Sequence, residues 1–107
     1  MTGAAIELHL RCRVIAGKRE AFLAFLKEAT PFYEAPGGIR VRLLQDRSDD
    51  NRFIELVEYA DEAAFARDQE RVANDATMKG YLARWRELLA EPATVEVYGR
   101  QEISPGM

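Results

Sequence analysis

Ile6, Leu8, Leu10, Cys12 and Val14 alternate with Glu7, His9, Arg11 and Arg13, and this period of two predicts a strand with one apolar and one polar face. Gly17 breaks the alternation. Phe22, Phe25, Leu26 and Ala29 then recur at spacings of three and four, which predicts a helix with an apolar stripe toward a sheet and with Lys18, Arg19, Lys27 and Glu28 in water. Pro31 lacks a backbone donor and is expected to kink or end that helix before the turn at Pro36, Gly37 and Gly38. Ile39, Val41 and Leu43 alternate with Arg40 and Arg42 as a second strand running toward Gln45, and the polar cluster from Asp46 to Asn51 is expected to be a hairpin loop.

The stretch RFIELVEYADEAAF, residues 52–65, organises the rest. Its first half is rich in β-branched and aromatic residues with little interruption, as in a central strand covered on both faces. Its second half opens on Asp61, a predicted helix cap. The following stripe, Phe65 and Val72, is weak, and Asn74 and Asp75 are expected to interrupt the helix and recap a second piece. That piece carries Met78, Tyr81, Leu82, Trp85, Leu88 and Leu89 at steps of three or four until Pro92. Val95 and Val97, alternating with Thr94, Glu96 and Tyr98, predict a fourth strand, and the SPGM tail is expected to fray.

Strand, helix, strand, strand, helix, strand predicts an α+β, ferredoxin-like βαββαβ sandwich. In it a four-stranded antiparallel sheet has strands one and three in the centre and both helices on one face. At 107 residues the chain is expected to form one domain, 1–107, with a continuous core. Its apolar runs fall far short of a membrane span, and MTGAA has no basic region followed by a long apolar one, so a cytoplasmic location with no membrane partner is expected. Cys12, the lone cysteine, reads as a buried thiol, and one cysteine with one histidine builds no metal site.

The uncovered sheet face is expected to show His9, Arg11, Arg13, Arg40, Arg42 and Tyr98 together with Leu44 and whichever of Phe53 and Ile54 points away from the helices. Apolar area of that kind is seldom left exposed by a monomer, so a homodimer burying this face is expected, with Glu55 or Glu58 pairing to the arginines. The net charge of −3 and the lack of interleaved exposed aromatics argue against nucleic acid as a partner.

The order of elements, the junction ELVEYADEAAFARDQE, the PGG loop and the terminal helix MKGYLARWRELL together resemble the antibiotic biosynthesis monooxygenase family of the dimeric α+β barrel superfamily, over residues 6 to about 101. The resemblance implies a dimer and a cavity between helices and sheet. It also implies a range of activities that includes cofactor-independent oxygenation of aromatic polyketides, quinol oxidation and haem degradation. Where many members carry a histidine after the Y-x-D-x-x-A-F stretch, this chain has Arg67, Asp68 and Gln69, so an axial haem ligand is missing and no cofactor is expected.

The function expected is a small cofactor-independent monooxygenase acting on an aromatic or quinol-type substrate in a pocket between helices and sheet. A non-catalytic dimeric module that binds a small molecule or simply assembles is the alternative. Tyr33 and Tyr81 are the candidate catalytic donors, with Asn74 a third, although a helix cap accounts for Asn74 without further assumption and is the favoured reading. Phe22 and Trp85 are candidate substrate-binding residues whose helical spacing also fits plain core. His9 is the candidate base, but its phase in the first strand favours the dimer face over the pocket.

Overall fold

A computed structural model describes residues 6–103, and the SPGM tail lies outside the described residues. The elements run β1 (Ile6–Arg13), α1 (Arg19–Glu34), β2 (Ile39–Asp46), β3 (Asp49–Tyr59), α2 (Glu62–Asn74), α3 (Ala76–Glu87) and β4 (Thr94–Gly99). The sheet is antiparallel in the order β2-β3-β1-β4, with the first and third strands central, and this is the expected ferredoxin-like α+β fold. No helix of the described residues is long and apolar enough to cross a membrane.

Register decides which side chains lie beneath the helices. Leu8 is opposite Val57, Leu10 opposite Glu55 and Cys12 opposite Phe53, and residues directly opposite share a face. The even residues of β1 and the odd residues of β3 therefore form one surface, with Ile39, Val41 and Leu43 of β2 beside them. Phe22, Phe25, Leu26 and Ala29 of α1 close over its Cys12–Phe53 end, with Trp85 and Leu89 joining them. Ala64 at the start of α2 packs at the other end against Ile6, Ile39, Val57 and Tyr59.

Three local features differ from the sequence expectation. Pro31 does not end α1: it sits exposed inside a helix that runs on to Glu34. The Asp46–Asn51 cluster is mostly strand, since Asp46 already pairs with Asp49 across a tight turn. Asp46 accepts from the Ser48 N–H at 2.7 Å and Asp49 from the Asn51 N–H at 3.0 Å, so side chains in place of a long loop satisfy the turn's donors. Glu55 lies on the helix side and not among the arginines.

The junctions are capped as the sequence suggests. Asp61 accepts from the Ala64 N–H at 2.8 Å and starts α2. Asp75 ends α2 through its own N–H to the Arg71 carbonyl and starts α3 by accepting from the Met78 N–H, both at 2.8 Å. Gly38 has φ +74° and its carbonyl accepts from the Ala60 N–H at 2.8 Å, and a Cβ there would sit 3.2 Å from that of Ala64, so the chain can hug the β3–α2 junction only with glycine.

Phe22 is fully buried, with its ring 5.0 Å from that of Phe53. Phe22→Ala is expected to cost about 3–5 kcal/mol of stability, read as a lower urea midpoint at unchanged slope.

Candidate functional site

The helices do not fill the space over the middle of the sheet. A cavity of about 270 Å³ remains where α2 and α3 part at Asp75, floored by Leu8, Leu10, Val57 and Glu55 and walled by Tyr33, Met78 and Trp85. It reaches the surface beside β4, whose Val95 and Val97 share the face of Leu10 and Leu8 yet remain 57% exposed because no helix extends over them. Arg86 lies along the exposed side of α3 at this mouth.

Glu55 is the dominant polar group. Its neighbours along the strand face, Phe53 and Val57, are apolar, and it is 4% exposed. Burial in this setting pushes its carboxyl up to about 7, because the charged form loses its hydration with no cation to replace it. The indole N–H of Trp85 lies beside it and offsets part of the rise. The two do not meet in a hydrogen bond: Glu55 Oε1 and Trp85 Nε1 are both buried without a partner among the described residues. Unpaired buried polar atoms are rare and costly, and a neighbouring acceptor and donor that both lack partners form a place where a ligand atom can be held.

Two other polar groups of the lining, Tyr59 and Asp68, are engaged with each other. The Tyr59 hydroxyl donates to Asp68 at 2.5 Å. Asp68 holds Arg71 at 3.0 Å, and Arg71 donates to the Phe32 and Tyr33 carbonyls at 2.9 and 2.7 Å. Those carbonyls belong to the last turn of α1, where helix geometry leaves acceptors without partners, so Arg71 caps α1 and pins Tyr33 against the cavity. Burial, and then the hydrogen bond to Asp68, raise the Tyr59 hydroxyl far above its ordinary value. Burial, and then the nearby Glu55 charge, do the same to Tyr33, so both phenols remain protonated donors. Burial pushes the Cys12 thiol up to about 12, and it stays an unreactive core group.

Of the residues singled out from sequence, Tyr33 and Trp85 line the cavity together. Phe22 is placed in the core beyond it, against Phe53. Tyr81 lies outside the lining, stacked on Phe32 at 5.0 Å and edge-on to Tyr33 at 5.9 Å, because its place in α3 points it at α1. Asn74 is exposed at the end of α2 and donates to Glu70 at 2.6 Å. His9 is on the far face of the sheet, 3.0 Å from Glu7 and with its ring 4.8 Å from that of Tyr98. Glu55 and the Tyr59–Asp68–Arg71 chain were not foreseen. Glu55 shares its period of two with Phe53, Val57 and Tyr59, but Ile54 and Leu56 give the opposite phase a matching apolar signal.

An antiparallel α+β sandwich with helices on one face, enclosing a largely apolar cavity whose lining includes the buried acids Glu55 and Asp68, defines the class of small ferredoxin-like pocket proteins. Within it the chain belongs to the antibiotic biosynthesis monooxygenase family, whose sequence profile matches residues 5–73. Among solved structures it is similar to SnoaB, a cofactor-independent oxygenase from Streptomyces nogalater (TM-score 0.77, 18% identity, covering 97% of this chain and 100% of SnoaB). It is likewise similar to a conserved protein from Methanosarcina mazei Go1 (TM-score 0.77, 17% identity, covering 92% and 94% of the two chains). No curated protein matches the chain in sequence.

The buried acid makes stability depend on pH. The folded state holds the Glu55 proton more tightly than the unfolded chain does, so stability declines as pH rises from 4.5 toward 7 and remains lowered above that. The loss is on the order of 3 kcal/mol, and Glu55→Gln is expected to abolish it. Urea melts of both proteins at pH 4.5 and 8 check this: the variant should gain on the wild type at the higher pH.

Proposed function

We propose that the protein is a cofactor-independent monooxygenase that oxidises an electron-rich aromatic or quinol-type compound in the cavity between helices and sheet. The observation that carries this reading is the partnerless Glu55–Trp85 pair inside a largely apolar cavity open to solvent. Family membership supports the reaction class, and the description of SnoaB as a cofactor-independent oxygenase agrees with it. The volume, about 270 Å³, is near the lower end of the roughly 300–1,000 Å³ common for ligand sites and suits a flat ligand of a few fused rings.

In such a reaction the substrate is its own reductant. Its anion passes one electron to dioxygen, the resulting radical and superoxide combine at a ring carbon, and the peroxide loses water to leave a carbonyl. One oxygen atom ends in the product and the other in water, and the substrate gives up two hydrogens in all, one as the proton lost on forming the anion and one from the oxygenated ring carbon. The protein supplies orientation, exclusion of water and donors to the anion. Tyr33 and Trp85 serve as those donors, since both line the cavity and Tyr33 is held protonated.

Oxygen uptake with a panel of quinols and anthrones, without added metal or flavin, tests this, with Tyr33→Phe expected to lower kcat by on the order of a hundredfold. A panel member that raises Tm without being turned over would assign the protein to the non-catalytic binding modules. Neither turnover nor a Tm shift would leave an assembly role.

A homodimer closed on the face away from the helices is the second part of this reading. Leu44 and Tyr98 there are 50% and 45% exposed. The surrounding charges pair within the chain, Arg42 with Glu58, Arg11 with Glu96 and Arg100 with Glu7, each at 3.0 Å, so covering the face strands none of these charges. Sedimentation equilibrium at micromolar concentration is expected to give a dimer, and Leu44→Glu, which sets a bare charge on the apolar part, should shift it to monomer.

A further inference from the structure

Glu55 and Trp85 are adjacent, of opposite hydrogen-bonding sense, and both without partners among the described residues. A single hydroxyl oxygen satisfies both, accepting from the indole N–H while its own hydrogen goes to the carboxylate. We propose that Glu55 is the base of this site, that it takes the proton of an aromatic hydroxyl whose oxygen is held by Trp85, and that the ligand is uncharged before it enters. This inference rests on the cavity being the reaction site and names the substrate class and the group that ionises it.

The step balances without any further reagent. The ligand O–H bond breaks, its electron pair stays on the ligand oxygen as a phenolate, and the proton forms a new bond to Glu55 Oε1. The site carries one negative charge before and after, moved from the carboxylate to the ligand. A carboxylate stripped of water is a stronger base than one in solution, and proton transfer is most efficient when donor and acceptor are closely matched. The indole N–H, aimed at the same oxygen, then stabilises the phenolate.

The surroundings exclude an anionic ligand from the deep end. The ionisable groups beside Glu55 are Cys12 from β1 and Tyr33 from α1, and Tyr59 from β3 and Asp68 from α2 line the same cavity; none of the four is a cation. Arg71, bonded to the lining residue Asp68, is committed to it and to two carbonyls. Arg86 stands at the mouth on the exposed side of α3. A carboxylate or phosphate at the inner end would therefore meet Glu55 unscreened.

Three probes of the same frame test this: 4-nitrophenol, which carries the hydroxyl, 4-nitroanisole, which lacks the proton, and 4-nitrobenzoate, which is anionic. On wild type, 4-nitrophenol is expected to bind at least about tenfold more tightly than either of the others, as a charge-assisted hydrogen bond requires. Its affinity should be bell-shaped in pH and highest near pH 7, where ligand and Glu55 share one proton. In Glu55→Gln the acid limb should disappear, leaving a decline set by ionisation of the ligand alone. In Trp85→Phe the bell should persist at lower affinity. Failure of 4-nitrophenol to bind, equal binding of 4-nitroanisole to wild type, or an unchanged pH profile in Glu55→Gln would each overturn the assignment, and the first two need no variant. Oxygen uptake separates this from the function proposed above: a preserved bell without any turnover refutes the oxygenase, whereas turnover that survives Glu55→Gln refutes Glu55 as base.

Discussion

Everything on the helix side depends on the phase of β3. A strand hydrogen-bonded along both edges must send alternate side chains to opposite faces whatever their polarity, so once Phe53, Val57 and Tyr59 lie under the helices, Glu55 lies there too. The sheet cannot slip to release it. A shift of one residue would bring Ile54 and Leu56 inward but would throw three large apolar side chains into water, a far larger cost than that of one buried acid.

The helices adapt to this floor instead of sealing it. Asp75 ends one helix and begins the next, and the change of direction keeps α2 and α3 from closing over the middle of the sheet. Arg71 reaches back from α2 to the carbonyls at the end of α1, and its link through Asp68 to Tyr59 connects both helices to the central strand. That chain of hydrogen bonds sits next to the cavity without spending any group on it, so the wall is rigid while Glu55 and Trp85 stay unengaged. A site of this kind, preorganised and partly unsatisfied, is less stable than a packed apolar one. Such local conflict with good packing is where function is expected to be found.

The two faces of the sheet differ in how their charges are placed. Beneath the helices there is little charge, so one carboxylate is strongly perturbed. On the other face the charges are many, but they pair across strands, and Leu44 and Tyr98 stand out among them. His9 belongs with this second group, paired to Glu7 and stacked on Tyr98, which is why its chemistry is separated from the cavity by the thickness of the sheet.

Periodicity and capping chemistry in the sequence were enough to determine the order of elements, the Asp61 and Asp75 caps and the helix stripe containing Trp85, because these depend on neighbours three or four residues away at most, and right-handed crossovers applied to that order then put β1 and β3 in the centre. Tyr33 and Trp85 were legible as pocket aromatics for the same reason. The face on which Glu55 lies was not: Ile54 and Leu56 compete with Phe53 and Val57 for the inside, and with apolar residues in both phases the period of two does not choose between them. Pairing with β1 and β2 made that choice by aligning Glu55 with Leu10 and Leu43. Tertiary structure alone likewise turned Tyr81 toward α1, set Asp68 against Tyr59 and left the cavity open, since each of these depends on how separate helices meet, which no local spacing encodes.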